Sequence, residues 1–144
     1  MASRTVLLDT SFVVALENRD DSSHERARNL DRELLAGDAT LLLHWGILLE
    51  IGDGYARLGR RPKGIELLKR FRQEQGYQIV PITDALLTAA VSLYSERIDK
   101  DWGMTDCLSF VIMQQHGVTE ALTADRHFVQ AGFEALLLPS ATDG

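Results

Sequence analysis

Four acidic residues stand where packing does not ask for them. Asp9 closes the apolar run "TVLL" and is followed at once by Thr10 and Ser11. Glu50 lies among Ile47, Leu48, Leu49 and Ile51. Asp106 opens the apolar stretch "DCLSFVIMQQH", and Asp125 follows "EALTA". An isolated buried carboxylate is costly unless it is paired or binds a metal. Carboxylates that converge without cations between them repel one another and are driven toward protonation. A divalent cation resolves that conflict, and oxygen-only ligands with open positions suit magnesium or manganese.

Convergence depends on the elements that carry these residues. Thr5 to Leu8 predicts a short buried strand, with a helix starting at Thr10 or Ser11. Ser22 and Glu25 fit a capping box for a helix that runs to Gly37. "ATLLLH" (39–44) predicts a second strand, and "WGILLEIGDGYARLG" a helix weakened by Gly52 and Gly54. "RRPKG" is expected to break the chain before the helical "IELLKRFRQEQ". "YQIVPI" predicts a third strand, and Thr83 or Asp84 starts a long helix. Thr105 is expected to cap the helix that carries Asp106 and stops at Gly117. "EALTAD", "RHFVQAG" and "EALLLP" predict a strand, a short helix and a last strand.

Strands alternating with helices along the whole chain specify an α/β fold with a mostly parallel sheet. In such a sheet Asp9 and Asp125 both lie at the carboxyl edge, where open α/β folds place their ligands. The helix of Asp106 must start on the same side. Each acid has a structural alternative. Asp9 could cap its helix, Asp106 could complement a helix dipole, and Asp125 could be a turn residue. Glu50 could be partly exposed, and Asp53, one turn later, is a weaker substitute for it. These alternatives are good singly and strained jointly, because the alternation gathers all four on one edge.

At this point the chain resembles the PIN-domain family of metal-dependent ribonucleases, in particular the VapC-like toxins of toxin–antitoxin pairs. The matching blocks are "LLDTSF", "LLEIGD", "GMTDCLSF" and "ALTADRHFVQAGF", in that order, spanning Val6 to about Leu138. The resemblance implies a PIN-like three-layer α/β/α domain and cleavage of RNA by a water activated at magnesium or manganese. It implies a site of Asp9, Glu50, Asp106 and Asp125, with Asp9 and Asp106 as the preferred direct ligands. Thr10, Ser11 and Thr105 would give polar support. It also implies an antitoxin partner encoded nearby and a homodimer. A free-standing RNA-processing nuclease of the same family, or a PIN-like scaffold that binds RNA or protein without cutting, is the alternative. Gly52 and Gly54, and "HWG" before Glu50, depart from the pattern.

Other residues carry weaker expectations. Ser109, one helical turn after Asp106, could hold a water or phosphate, or bond back to its own helix. None of the four histidines is required; His127, two residues after Asp125, could touch substrate, but is expected to be a surface or packing residue. Trp102 could stack a base or pack. Seven of the 15 basic residues fall between Arg57 and Arg72. Arg57, Arg60, Arg61 and Lys63 are candidate RNA contacts; the alternative is a solvated helix face.

Composition narrows the class. The chain has 144 residues, enough for one domain (1–144), with 140–144 expected to fray. Its net charge of −6 confines any nucleic-acid contact to a local patch. One cysteine excludes an internal disulfide framework and a cysteine-rich zinc site. No run is apolar and long enough to span a membrane, and no signal-peptide pattern is present, so a cytoplasmic protein is expected. A dehalogenase-type phosphatase would need an acid where Ser11 stands. A receiver domain would need paired acids near the end of the first strand and a lysine late in the chain, and the second half offers only Lys100, in a loop.

Overall fold

Apolar, partly β-branched runs build a sheet, and helices join each strand to the next. In the computed structural model, which describes residues 4–139, the chain runs β1 (Thr5–Leu8), α1 (Thr10–Glu17), α2 (His24–Ala36), β2 (Thr40–His44), α3 (Trp45–Gly54) and α4 (Arg61–Gln73). It continues through β3 (Tyr77–Val80), α5 (Asp84–Glu96), α6 (Met104–His116), β4 (Glu120–Leu122), α7 (Arg126–Gln130) and β5 (Glu134–Ala135). The strand order is β3-β2-β1-β4-β5 and every pairing is parallel. Leu7 pairs with Leu42 on one side and Ala121 on the other, and all three are fully buried.

The chain leaves β1 toward β2 and β3, then returns across the sheet to β4 and β5. Right-handed crossovers therefore lay α1 to α4 on one face and α5 to α7 on the other. Within the layers α1 contacts α2 and α3, α3 contacts α4, α5 contacts α6, and α6 contacts α7; α3 and α6 also meet across the layers. This is the three-layer α/β/α arrangement. The direction of travel reverses between β1 and β4, so a crevice opens at their carboxyl ends, the position where doubly wound sheets bind ligands.

Several boundaries differ from the sequence expectation. "RRPKG" does not break the chain; α4 starts at Arg61 with Pro62 in its first turn, where proline forfeits no helical hydrogen bond. Gly64 is required there, because a Cβ would lie 2.8 Å from the Cβ of Tyr55. Ser22 forms no capping box. Ser23 holds the cap position of α2 without a side-chain bond, and its own N–H donates to Asp21 Oδ1 at 2.8 Å. Thr105 does not cap α6; Gly103 does, and Thr105 lies inside the first turn. α3 ends at Gly54, and the strands expected at 120–125 and 134–139 are cut to Glu120–Leu122 and Glu134–Ala135. The expected fraying of 140–144 lies outside the described residues.

The "HWG" segment has a physical reason. His44 ends β2 and caps α3: its Nδ1 accepts from the N–H of Gly46 at 3.0 Å. A Cβ at Gly46 would sit 2.7 Å from the imidazole Cε1, so only glycine admits this cap. No helix among the described residues is long and apolar enough to cross a membrane. Cys107 is free and buried.

Candidate active site

Asp9 follows the last residue of β1 and occupies the cap position of α1, but its carboxylate makes no cap bond. It turns to β4's exit instead. Asp9 Oδ2 accepts from the Thr123 hydroxyl at 2.8 Å and from the Ser11 hydroxyl at 3.1 Å. Thr123 Oγ1 in turn accepts from the N–H of Asp125 at 3.0 Å, and Ser11 Oγ from the N–H of Ala124 at 3.1 Å. Asp9 is only 9 % exposed. Burial pushes its pKa above the usual carboxylate range. The Thr123 and Ser11 hydroxyls and the Thr10 backbone N–H oppose that rise, while the charge of Asp106 adds to it.

Glu50 reaches the same crevice from α3, with its side chain exposed at the rim. Its Oε1 accepts from the Thr10 hydroxyl at 3.0 Å. Partial burial raises its pKa; Thr10 counters this, and the charges of Asp9 and Asp106 reinforce it. Asp53 sits later in α3, exposed and away from the crevice lining.

Asp106 and Asp125 arrive from the opposite layer. Asp106 lies in the first turn of α6, and its Oδ2 accepts from the N–H of Gly103 at 3.2 Å. Asp125 caps α7, its Oδ1 accepting from the N–H of His127 at 2.9 Å. Both therefore serve helix starts, as the structural alternatives require, and both still face the crevice. The imidazole Nδ1 of His127 lies 3.0 Å from Asp106 Oδ2 and 3.4 Å from Asp125 Oδ1. Ligand atoms of Asp106, Asp125 and His127 all fall within 4.8 Å of one another.

The crevice has a volume of about 390 Å³ and is lined by Asp9, Asp21, Glu50, Asp106 and Asp125, with Thr10 and Ser11 among them and no lysine or arginine. All four sequence-predicted acids are thus brought together. Asp9 and Glu50 stand outside the tight group that Asp106 and Asp125 form with His127. Such a donor set, carboxylates plus one imidazole with no fixed cation, fits a divalent metal ion.

The supporting residues divide. Thr10 and Ser11 brace Glu50 and Asp9 as expected. Thr105 does not line the crevice; its methyl lies toward Gly46. Ser109 neither bonds back to its helix nor faces the crevice. It is buried, 2.9 Å from His44 Nε2, and so ties the strand before α3 to the helix that carries Asp106. His44 accepts through Nδ1, so Nε2 carries the proton and donates to Ser109. Burial pushes the pKa of His44 down to about 4. Trp102 is 5 % exposed, donates to Gln130 at 3.0 Å and stacks edge-on against Phe110, so it packs and offers no face to a base.

Three residues escaped sequence reasoning. Thr123, hidden in an apolar strand exit, holds Asp9. His127 sits between two acids, a position announced only by its place two residues after Asp125. Asp21 adds a fifth acid to the lining.

The basic segment is partly occupied. Lys63 pairs with Glu17 and Glu66 at 3.5 and 3.1 Å, and Arg70 with the same two at 3.6 and 3.0 Å. Arg61 folds back on the Ala56 carbonyl at 2.8 Å. Arg60 lies over the Tyr55 ring at 5.1 Å. Arg60 and Lys63 line a cavity of about 260 Å³ that shares Thr10 and Glu50 with the acidic crevice. Arg57 is exposed.

A model of the PIN domain matches residues 6–134. The fold resembles VapC20 of Mycobacterium tuberculosis, described as a sarcin–ricin loop cleaving toxin, with a TM-score of 0.76 and 22% identity over 89% of this chain and 95% of that one. It resembles FitAcB of Neisseria gonorrhoeae, with a TM-score of 0.66 and 20% identity over 90% and 94% of the two chains. It also resembles VapBC2 of Rickettsia felis, solved with a DNA fragment from its promoter, at 0.66 and 17% over 91% and 96%. No curated protein matches the sequence significantly.

Proposed function

The chain belongs to the PIN domain family, and from that premise we propose that it is a metal-dependent endoribonuclease, the toxin of a toxin–antitoxin pair, acting in the cytoplasm. The observation that carries the reading is the crevice itself: four carboxylates from both helical layers meet at the switch point of the sheet with no lysine or arginine among them. Of the expected direct pair Asp9 and Asp106, we keep Asp106 and put Asp125 in place of Asp9, because ligand atoms of Asp106 and Asp125 lie within 4.8 Å of each other; Asp9 and Glu50 are ligands directly or through water. A magnesium or manganese ion held there would supply a Lewis acid for water and for the phosphate.

The chain's own groups do the positioning. Thr123 and Ser11 fix the Asp9 carboxylate by two hydroxyl donors, so it keeps its place without a cation. Thr10 orients Glu50 at the rim through its hydroxyl. Arg60 and Lys63, in the adjoining cavity, would contact phosphates of the strand beside the cut. Residues 1–144 form one nuclease domain in this reading. The likeness to VapC20, a sarcin–ricin loop cleaving toxin, supports the toxin role; an antitoxin partner and a homodimer are further parts of the proposal.

The test is chelation. Highly purified protein should not cut RNA in excess EDTA, and manganese or magnesium should restore cutting. Robust cleavage in EDTA would reject the reading. Binding of manganese without cleavage of any RNA would leave the scaffold alternative in its place.

A further inference from the structure

We propose that His127 gives a nitrogen ligand to the cation held by Asp106 and Asp125, making the centre a mixed nitrogen–oxygen site that prefers manganese to magnesium. The inference rests on the metal-nuclease reading and adds to it a ligand and a selectivity.

Without a cation, the 3.0 Å approach of His127 Nδ1 to Asp106 Oδ2 is a hydrogen bond, and the same spacing suits two donors of one ion. Two donors bound side by side at roughly 2.1 Å lie about 3 Å apart. The Nδ1 of His127 is 3.0 Å from one oxygen of Asp106 and 3.4 Å from one of Asp125. The ring nitrogen therefore lies near one oxygen of each acid, bonded to Asp106 and farther from Asp125. The local chain enforces the placement. Asp125 folds back over the N–H of His127 to cap α7, which sets cap carboxylate and imidazole side by side. The His127 side chain is 29 % exposed and stands just outside the crevice lining, behind Asp106 and Asp125, which do line it. Among the described residues, the ion-pair partner of both Asp106 and Asp125 is His127, a group that turns from donor to ligand when its proton sits on Nε2.

Selectivity follows from donor chemistry. Magnesium takes oxygen ligands and sheds water reluctantly. An imidazole nitrogen raises affinity for transition ions more than for magnesium.

The experiment is electron-spin-echo spectroscopy of the manganese-loaded protein, with manganese and magnesium titrations on wild type and His127→Ala. Wild type should show modulation from a directly bound nitrogen-14, absent in His127→Ala. The variant's manganese dissociation constant should rise at least roughly tenfold, with that for magnesium changing much less. Bound manganese without nitrogen modulation in wild type would overturn the inference while leaving the nuclease reading intact. Modulation that persists in His127→Ala would overturn it too. Failure to bind manganese at all would remove the nuclease reading itself.

Discussion

Acid should weaken this fold through His44, by an amount the structure sets. In the native state His44 is buried, accepts from Gly46 N–H and donates to Ser109, and its pKa is pushed down from 6.5 to about 4. In the unfolded chain it returns to the ordinary value. Below pH 6.5 the unfolded state therefore binds a proton that the native state refuses, and stability falls as pH drops, levelling off below about 4. A displacement of that size corresponds to roughly 3 kcal/mol in all, about 2 kcal/mol of it between pH 7 and 5. Asp9 and Glu50 have raised pKa values and act in the opposite sense, so wild type must be read against a variant. His44→Asn keeps an oxygen for the Gly46 N–H and removes the titrating ring. Its lost bond to Ser109 is a constant cost that does not depend on pH. Urea unfolding of metal-free protein from pH 7.5 to 5 should show wild type losing about 2 kcal/mol more than the variant. In parallel, the His44 ring resonance should not titrate above about pH 5. Equal slopes, or a His44 that titrates near 6.5, would refute the burial argument.

Thr123→Val keeps shape but takes from Asp9 its 2.8 Å donor and leaves the Asp125 N–H without its acceptor. Metal-free protein should lose about 1–3 kcal/mol at pH 8, and the loss should shrink on acidification as Asp9 takes up a proton. Denaturation at pH 8 and 4.5 checks this, and a loss independent of pH would count against a strained Asp9 carboxylate. In the basic segment, Arg60→Ala should lower the slope of log affinity for RNA against log salt by about 1. Arg61→Ala should do less, because its guanidinium is already held by Ala56. An unchanged slope with both removed would assign the segment to ion pairing and solvation.

The layered fold was legible because each strand is an apolar run and each helix between strands has its own start or stop. Asp9 and Asp125 stand out in the sequence as charges that follow buried strands of a parallel sheet, whereas Asp106 stands out at a helix start and Glu50 through its apolar neighbours. What escaped depends on partners far along the chain. Thr123 looks like any strand residue until Asp9, 114 positions away, is seen to need its hydroxyl. Ser109 was read toward water or its own helix, yet its partner is His44, 65 positions away. His127 gains its meaning only from α6 packing beside α7. Caps misled where the backbone decides: Gly103 begins α6 in place of Thr105 because the preceding loop arrives extended there. Pro62 was read as a break although the first turn of a helix accepts proline.

The most direct test of the claim that these acids are there for a cation is Asp106→Asn. The charge of Asp106 raises the pKa of both Asp9 and Glu50, so its removal relieves repulsion in the crevice. Lost helix-dipole support costs about 0.3–1 kcal/mol, and the 3.0 Å contact with His127 loses its charged partner, about 1 kcal/mol more. Melting curves without and with manganese, beside a manganese titration and an RNA cleavage assay, give the answer. The metal-free variant should be as stable as wild type to within about 2 kcal/mol, or more stable, with manganese affinity and cleavage both lost. Full manganese affinity and full cleavage in Asp106→Asn would contradict it.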